Sequence, residues 1–448
     1  MNVTVLGGGL AGCEAAWALA QRNIDVTLIE MRPLSRTAAH QTDALAELVC
    51  SNSFKSVELH NAHGLLKAEL ADLGSLLLAV AADVRIPGGA ALTVDRGQFA
   101  AEVQRRISAH PRIRIERREA TVIPECGIVA TGPLTSDALA DAVARRLGNE
   151  SLAFYDAIAP IVSGNSLDHG VLFARSRWGK GGGDDYLNAP FSPEEYQAFV
   201  EALVAGDQYR GHDFDEVRYF EGCLPVEEMA RRGSETLRFG PMRPVGLDDP
   251  RTGRPPHAVV QLRREDRAGQ MWNLVGFQTR LRTAEQQRVW RLIPGLERAE
   301  FFRYGSVHRN SYINAPAALG PALQLKDGAP VFVAGQLTGV EGYTESVATG
   351  LLAGINLARV IAGGVAVVPP PTTMLGALMR YLREADPATF QPMNANFGLL
   401  DPIKVVRKAD RKDALIARAR TSFREWIDGC GLGGAASVRE EPAGAGAA

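Results

Sequence analysis

The sequence of 448 residues lacks long apolar runs, closely spaced cysteines and an excess of charge of either sign. No stretch approaches the ~18 to 20 apolar residues that a membrane-spanning helix requires, which argues against a helical membrane protein. No basic region precedes the first apolar residues, so we expect no signal peptide and a cytoplasmic location. The 49 Lys and Arg residues balance 51 Asp and Glu residues. This excludes a surface that is basic throughout but is compatible with a local basic face.

The cysteines are odd in number and scattered, namely Cys13, Cys50, Cys126, Cys223 and Cys430. No CxxC pair and no Cys/His cluster has metal-ligand spacing, so we expect neither a disulfide framework nor a zinc site. His60 and His63 are close in sequence, but without a partner motif they are typical of solvated or capping histidines. No metal site is therefore expected.

The sequence does contain a glycine-rich turn near its start. After a short apolar run, Gly7, Gly9 and Gly12 follow with the spacing G-x-G-x-x-G, and a second apolar run over residues 26–29 ends at Glu30. This is the order of the dinucleotide-binding βαβ unit, in which the glycines permit a tight turn and the acid binds a ribose. The helix N-terminus then faces the phosphates. Taken alone, the unit is compatible with NAD, FAD or S-adenosylmethionine.

A second strand–glycine–helix pattern lies far from the first. Residues 331–334 predict a strand that ends at Gly335, and residues 344–361 predict a helix after a glycine-punctuated loop. Flavoproteins of the glutathione-reductase type place such a unit beside the isoalloxazine ring, where the helix N-terminus stabilises negative charge. Residues 130–132, Ala-Thr-Gly, end a further apolar strand, as in two-dinucleotide flavoproteins, although any αβ turn can have this sequence. Together the patterns favour FAD over NAD and S-adenosylmethionine.

These patterns predict an α/β fold with a two-dinucleotide-binding, glutathione-reductase-like FAD domain and an inserted α+β domain. The predicted boundaries are residues 1–150 for the first part of the FAD domain, 151–300 for the inserted domain, 301–400 for the second part, and 401–448 for a basic and then Gly/Ala-rich tail. Within these parts we predict helices over residues 63–82 and 98–109, a hairpin-like segment over 84–96, strands over 112–116, 120–123 and 127–130, and a flexible loop over 179–186.

Arginine and aromatic residues are concentrated in the predicted inserted domain. Arg231 and Arg243, for example, alternate with Phe239 and Trp272. RNA-facing grooves use this mixture to neutralise phosphates and stack bases, but ordinary surface arginines give the same pattern. The tail after Asp401 is also basic, as expected for a solvated helix or for a segment that holds RNA.

Long motifs over residues 1–400 resemble those of a known family. They are GGGLAG at residues 7–12, IEMRP at 29–33, AELVCSNSFKS at 46–56, ATGPLTS at 130–136, FEGCLPVEEMARRG at 220–233, YGSVHRNSYINAP at 304–316, AGQLTGVEGYTESVATG at 334–350 and FQPMNANFGL at 390–399. On these motifs the chain is similar to the folate- and FAD-dependent tRNA (uracil-5-)-methyltransferases, relatives of the GidA-type tRNA-modifying flavoproteins. Two features depart from the family pattern: Ala189 stands where members often carry Cys, and members often end near Leu400.

The resemblance implies the reaction, its cofactors and its site residues. The implied activity is methylation of C5 of the uridine at position 54 in the T loop of tRNA, with methylenetetrahydrofolate as carbon donor and FAD, reduced by NADPH or NADH, as hydride source. The implied FAD-binding residues are Gly7, Gly8, Gly9, Leu10, Ala11, Gly12, Glu30, Arg32, Thr131, Gly132, Gly335, Gln336, Gly342, Tyr343, Glu345 and Ser346. His308 is expected to stack against the folate pterin, with Arg309 beside it.

A cysteine is the expected covalent catalyst, because uracil C5 is a poor nucleophile until a thiolate adds to C6. By sequence position, Cys13 is typical of packing in the first helix, and Cys126 and Cys430 are typical of structural or incidental cysteines. Cys50 and Cys223 remain, and each is also compatible with a buried small residue. The resemblance implies that Cys223 attacks C6 and that Cys50, near the flavin, is its partner, for example in deprotonating C5. The division of these two roles stays open.

Three other functions share some of these features. A GidA-type enzyme that modifies the wobble uridine has the same flavin-binding patterns, although such chains carry a longer C-terminal helical domain. An NAD(P)H-dependent flavin oxidoreductase without an RNA substrate, acting on disulfides, would require a close cysteine pair, whereas Cys50 and Cys223 are far apart in sequence. A flavin-bearing RNA-binding module would depend on neither cysteine.

Overall fold

The computed structural model describes residues 2–37, 39–148, 152–209, 224–404 and 407–433, with the backbone alone for residues 152–158, 307–309 and 408. Its strands are β1 (Asn2–Leu6), β2 (Asp25–Glu30), β3 (Ser53–Ser56), β4 (Arg85–Ile86), β5 (Ala91–Val94), β6 (Ile113–Arg117), β7 (Gly127–Val129), β8 (Leu152–Ile158), β9 (Ile161–Ser163), β10 (Phe173–Ala174), β11 (Tyr186–Phe191), β12 (Ala258–Arg264), β13 (Met271–Leu274), β14 (Phe301–Arg303), β15 (Ser306–Tyr312) and β16 (Val331–Val333). Its helices are α1 (Leu10–Ala20), α2 (Ala62–Asp72), α3 (Leu76–Asp83), α4 (Arg96–Ala109), α5 (Asp137–Leu147), α6 (Pro193–Ala205), α7 (Val226–Arg231), α8 (Thr236–Phe239), α9 (Thr283–Trp290), α10 (Ala315–Ala318), α11 (Tyr343–Ile361), α12 (Met374–Glu384) and α13 (Arg411–Gly429).

A parallel sheet with the strand order β16-β7-β1-β2-β6 forms the centre of the larger domain. In its register Leu6 lies opposite Ile29 on one side and Val129 on the other. Its strands are short and apolar because helices cover both faces of a parallel sheet. β16 comes from the part of the chain after residue 300, yet it pairs with β7 at the edge of the sheet. The predicted fold class, an FAD-type α/β domain built from two separate stretches of chain, is therefore confirmed.

Helices α1 and α11 pack against each other at very short distance. A Cβ atom added to Gly350 would lie 2.3 Å from the carbonyl oxygen of Ala11, and one added to Gly354 would lie 2.8 Å from that of Ala15. The contacts advance together along both helices, so the helices run in the same direction. The glycine and alanine residues of the two fingerprints thus serve helix packing as well as the phosphate turn.

The predicted helix over residues 63–82 is wrong in one respect, because the structure contains two helices there. α2 ends before Gly74, which has φ +77°, a conformation that favours glycine. α3 then starts after Ser75, whose hydroxyl accepts a hydrogen bond from the backbone N–H of Leu78. The leucine periodicity continues across the break since both helices bury their leucines, and it therefore concealed the turn.

The hairpin predicted over residues 84–96 is confirmed as β4 and β5, and β3 joins it in a sheet with the order β3-β5-β4. The strand predicted over residues 120–123 is wrong, because that segment has no strand pairing. It lies instead between β6 and β7, and Ala120 lines the cavity at the end of the parallel sheet.

The inserted domain contains an antiparallel sheet with the order β10-β11-β12-β13-β9-β14. Its apolar core is separate from that of the larger domain and includes Phe199, Phe277 and Trp290, whose rings pack in contact. The chain enters this domain through β8 and leaves it through β15, which pair with each other. The boundaries at residues 151 and 300 stay predictions.

The basic segment after Asp401 includes α13, which packs against α2. Leu415 and Phe423 bury its apolar side, and Arg420 forms an ion pair of 2.9 Å with Asp72. Residues 434–448, most of the predicted Gly/Ala-rich end, lie outside the described residues. Within the described ranges, no helix has the length and apolarity needed to cross a membrane.

Candidate functional site

The glycine turn between β1 and α1 has the geometry of a phosphate cradle. Gly7 has φ +96°, and a Cβ atom there would lie 2.5 Å from the carbonyl oxygen of Ala130. A Cβ atom on Gly12 would lie 1.8 Å from the carbonyl oxygen of Gly7, so both positions require glycine. A Cβ atom on Gly9 would meet nothing within 4 Å. Gly9 therefore borders open space at the N-terminus of α1, where the backbone can approach a pyrophosphate.

Glu30 is held in place by a buried ionic network. Its carboxylate accepts hydrogen bonds from the backbone N–H of Gly8 (2.9 Å) and from Nε of Arg32 (2.8 Å). Arg32 is 1% exposed and also pairs with Glu47 at 3.0 Å. Burial alone would raise the pKa of Glu30, but the hydrogen bonds and charge of Arg32 hold that pKa below its usual range. The carboxylate is thus ionised and retains lone pairs for further hydrogen bonds.

A cavity at the carboxyl ends of β1, β2 and β7 joins these groups. It is lined by residues that include Gly7, Gly9, Glu30, Arg32 and Thr131, with His40, Arg118 and Thr135. Gly132 follows Thr131 with φ +69°. The structure therefore brings the N-terminal glycine turn, the acid and the Ala-Thr-Gly turn to one place. Carboxyl ends of parallel strands are where open α/β sheets bind nucleotides.

The second strand–glycine–helix unit lies against the start of α1. Leu10 and Ala11 are the first two residues of α1. A Cβ atom on Gly335 (φ +76°) would lie only 2.9 Å from Cβ of Ala11. The side chain of the neighbouring Gln336 contacts Glu341. Gly342 caps α11 with φ +119°, and the N–H of Ser346 donates to its carbonyl oxygen.

Glu345, in the first turn of α11, is fully buried and lies near His63 and Lys55. Its Oε1 atom lies 3.0 Å from Nδ1 of His63 and accepts a hydrogen bond from the backbone N–H of Ala395. Burial opposes its ionisation, but His63 and the charge of Lys55 hold the pKa of Glu345 below its usual range. Lys67 is buried nearby, and burial lowers its pKa to about 7. A charged cluster therefore supports the helix end that faces the predicted flavin.

Cys50 is tied to the same helix end by Tyr343. The backbone N–H groups of Cys50 and Ser51 donate to the hydroxyl oxygen of Tyr343 at 2.9 and 3.0 Å. Two guanidinium groups bind the residues just before Cys50: Arg96 donates to the carbonyl oxygen of Leu48, and Arg303 to that of Val49. Burial lowers the pKa of Arg303, whereas the carboxylate of Glu265, which pairs with Arg96 at 2.7 Å, holds the pKa of Arg96 above its usual range despite burial. The segment that contains Cys50 is therefore held by Tyr343 and by two guanidinium groups.

The other predicted site residues are placed less completely. Cys223 lies in the segment 210–223, outside the described residues. His308 and Arg309 lie on β15, paired with Asp156 and Tyr155 of β8. Further along β15, the N–H of Ser311 donates to the carbonyl oxygen of Pro133, so this strand runs beside the Ala-Thr-Gly turn.

Cys13, Cys126 and His60 were predicted to be structural, incidental or solvated residues. Cys13 is completely buried, and burial raises its pKa far above the usual range. Cys126 is half-buried, with its pKa raised by burial. His60 is exposed and pairs with Asp413 of α13. In the part of the chain that the structure describes, no group of three or more His, Cys, Asp and Glu side chains is placed to hold a metal ion.

Arg96, Arg303, His63 and Lys67 were missed by sequence reasoning. Arg96 is the first residue of α4, and Arg303 lies on β14. Each reaches the site only through tertiary contacts with residues 48–50. The AELVCSNSFKS motif was the one signal in the sequence that pointed to these residues. A motif around a half-buried cysteine implies that other side chains pack around that cysteine.

Comparison with known proteins identifies relatives over nearly the whole chain. A model of the family "Glucose inhibited division protein A" matches residues 2–364. A Geobacter sulfurreducens protein named methylenetetrahydrofolate–tRNA-(uracil-5-)-methyltransferase TrmFO is 55% identical over 428 residues, which cover 95% of this chain and 98% of that protein. The protein of the same name from Desulforudis audaxviator is 54% identical over 437 residues, covering 96% and 99%.

A solved structure of similar fold is GidA of Aquifex aeolicus. In its form II crystal it matches with a TM-score of 0.68 and 17% sequence identity, over 96% of this chain and 74% of that chain. The form I crystal gives the same TM-score with 18% identity. At this level of identity the likeness concerns the fold, which includes the inserted domain.

Proposed function

We infer that this chain, which belongs to the family of methylenetetrahydrofolate–tRNA-(uracil-5-)-methyltransferases and to the wider glucose inhibited division protein A family, methylates C5 of a uracil in tRNA. Its carbon donor is methylenetetrahydrofolate. The observation that carries this proposal is the placement of Cys50, which is hydrogen-bonded through its backbone to Tyr343 at the start of α11. Uracil methylation of this kind requires a cysteine near the uracil and a flavin that supplies a hydride. Cys50 fits both requirements because it lies close to the helix end that faces the predicted flavin.

The residues present fit FAD. The glycine turn borders open space at Gly9, and the ionised Glu30 lies in the same cavity, as an adenosine ribose and a pyrophosphate require. Gly335 and Gly342, both with positive φ, shape the second turn that would hold the flavin end. The remaining predicted FAD-binding residues lie on these two turns, on the helix starts that follow them and on the Ala-Thr-Gly turn, except Arg32, which follows β2. FAD, when bound and reduced, supplies the hydride that completes the methyl group.

We propose that Cys223 is the nucleophile and Cys50 the partner that accepts the C5 proton. The Cys223 thiolate adds to C6 of the uracil, and C5 then forms a bond to the carbon donated by methylenetetrahydrofolate. The C5 proton passes to a base and the tetrahydrofolate nitrogen leaves the transferred carbon, which gives an exocyclic methylene group on the uracil. A hydride then adds to that carbon and the thiolate leaves C6, so Cys223 is regenerated. Arg96 and Arg303 donate to the carbonyl oxygens of the two residues before Cys50, and positive charge near a thiol favours the thiolate, which is the form that can take a proton.

The reductant, the target nucleotide and the folate contacts belong to the same proposal. NADPH or NADH reduces the flavin, and the target is the uridine at position 54 in the T loop. His308 and Arg309 are the proposed folate contacts. They lie on β15, which pairs with β8 and runs beside the Ala-Thr-Gly turn, so the folate would lie near the predicted FAD site.

The reaction is tested by supplying FAD-loaded protein with tRNA, NADPH and a labelled carbon donor. Label is expected in tRNA from methylenetetrahydrofolate and not from S-adenosylmethionine, and replacement of U54 by cytidine should abolish it. Label from S-adenosylmethionine, or no label from either donor, would overturn the proposal.

The roles of the cysteines are separated with tRNA that contains 5-fluorouracil, which traps the nucleophile covalently. Cys223→Ala should form no adduct, Cys50→Ala should still form one, and Cys126→Ala is the matched control that should react like the wild type. An adduct with Cys223→Ala that is absent in Cys50→Ala would reverse the two roles.

A further inference from the structure

The inserted domain presents an exposed apolar cluster made of Trp178, Phe239 and Val245, called here the Trp178 platform. Their side chains are 66%, 82% and 42% exposed, respectively. The backbone N–H of Trp178 donates to the carbonyl oxygen of Gly246 (3.1 Å). The indole also covers that glycine so closely that a Cβ atom there would lie 2.7 Å from the ring. Trp178 therefore lies against the loop that contains Val245 and Gly246, and Phe239 ends α8 shortly before that loop in the sequence.

The conformation of Trp178 is unusual and is held by its neighbours. Trp178 has φ +60° and ψ +23°, the left-handed region that bulky residues rarely adopt. The guanidinium of the preceding Arg177 donates to the carbonyl oxygens of Arg243 (2.8 Å) and Val245, and to the side chain of Gln261 (3.1 Å). An unfavourable backbone conformation that projects a large aromatic ring into water indicates that the ring has a binding role.

The charges around the platform select an anionic partner. Burial and the nearby charge of Arg243 together lower the pKa of Arg177, which means that the two guanidinium groups repel each other across a short distance. Arg243 is exposed beside Val245. Two neighbouring cations next to an exposed indole are the arrangement that proteins use for unpaired RNA, with phosphates on arginine and bases stacked on aromatic rings.

The loop that carries Trp178 is linked to the larger domain by two polar contacts. The segment 179–186, predicted as a flexible loop, is anchored on the hairpin of β4 and β5: the Asp185 carboxylate accepts from the N–H of Gly89 at 2.7 Å. Lys180 forms an ion pair of 2.6 Å with Glu58. Glu58 is only eight residues from Cys50 in sequence, so these contacts link the loop that carries Trp178 to the segment that carries Cys50.

We propose that the Trp178 platform binds the tRNA substrate outside the reaction site, with an unpaired base stacked on Trp178 and a phosphate bound by Arg177 and Arg243. This inference rests on the proposed function, because it takes tRNA as the substrate. The contact adds affinity at a distance from the uracil that reacts, and it requires no part of the cofactor site.

The test measures equilibrium binding of tRNA to the FAD-loaded protein, together with tRNA methylation. Trp178→Ala should weaken binding by roughly 5- to 150-fold, the range expected for loss of one base stack, and Trp178→Phe should keep most of the affinity. Arg243→Glu should weaken binding and flatten its dependence on salt. Reduction of the flavin in the absence of tRNA should be unchanged in every variant.

Two control variants test whether the effect is specific to the platform. Phe302→Ala removes another exposed aromatic ring on β14, at the opposite edge of the sheet, and Arg291→Glu reverses an exposed charge at the end of α9. Both should bind tRNA like the wild type. An equal loss with the controls would overturn the proposal.

The outcomes also separate this proposal from the proposed function. If the wild type methylates tRNA and the platform variants bind it normally, the platform is wrong and the function stands. If those variants instead change the oligomeric state, the platform is a protein contact. If the wild type neither binds nor methylates tRNA, both proposals fail.

Discussion

The contact between α1 and α11 makes a specific prediction for Gly350→Ala. The added methyl group would lie 2.3 Å from the carbonyl oxygen of Ala11 and 2.8 Å from its Cα atom. Ordinary carbon–oxygen contacts need more than 3 Å, so the helices must separate by about 1 Å at this point. Overpacking of this kind costs roughly 1–3 kcal/mol. Because both helix N-termini border the predicted FAD site, we also expect weaker FAD binding.

The assay for Gly350→Ala is thermal unfolding of the protein with and without added FAD, followed by flavin fluorescence. We expect a fall in Tm of roughly 2–10 °C and faster release of flavin. The matched control is Gly97→Ala in α4, where the nearest atom to the added Cβ is Asp95 Oδ1 at 3.6 Å. That variant should be neutral or more stable by up to ~1 kcal/mol. Equal Tm values for the two variants would refute the packing argument.

Two further predictions follow from Tyr343 and Glu14. Tyr343→Phe removes the acceptor of the backbone N–H groups of Cys50 and Ser51, so the free energy of unfolding should fall by about 1–3 kcal/mol. The rate of tRNA methylation should also fall, while NADPH still bleaches the flavin. An unchanged methylation rate would contradict this. Burial raises the pKa of Glu14 from 4.5 to about 7. The protonated side chain therefore stabilises the folded state fully below pH ~4.5, and this stabilisation is lost as pH rises through about 7. The free energy of unfolding should fall by up to ~3 kcal/mol over this range. Glu14→Gln should therefore gain stability over the wild type as pH rises from 5 to 8 in urea unfolding, and parallel pH profiles would contradict this assignment.

The features that sequence predicted best are those fixed by local geometry. Gly7 and Gly12 could be assigned because a turn and a close helix–strand contact exclude any Cβ atom, and spacing alone reveals that requirement. The hairpin of β4 and β5 was predictable for the same reason. Glu14 was not, because it accepts hydrogen bonds from Leu76 and Leu77, which are distant in sequence. No local pattern distinguishes such a carboxylate from an exposed one.

Features that depend on tertiary contacts were predicted incompletely. The break at Gly74 was concealed because the apolar spacing of α2 continues into α3, and residues 120–123 have strand-like composition but no partner strand. At the candidate site, Cys50 was identified through its motif, whereas Arg96 and Arg303 reach it from other elements. Sequence can single out Cys50 as a candidate, but the charges around it follow only from the assembled fold.

The two-part construction of the FAD domain also determines when it can fold during synthesis. α1 is among the first segments to leave the ribosome, but its packing partner α11 ends at Ile361. At typical rates of ~5–20 residues per second, roughly 17–70 s separate the two. During this interval the glycine and alanine face of α1 has no partner, while the inserted domain, with its own core, can already form. FAD can therefore bind only late in synthesis. Chaperones should accordingly bind mainly to the N-terminal part of the nascent chain.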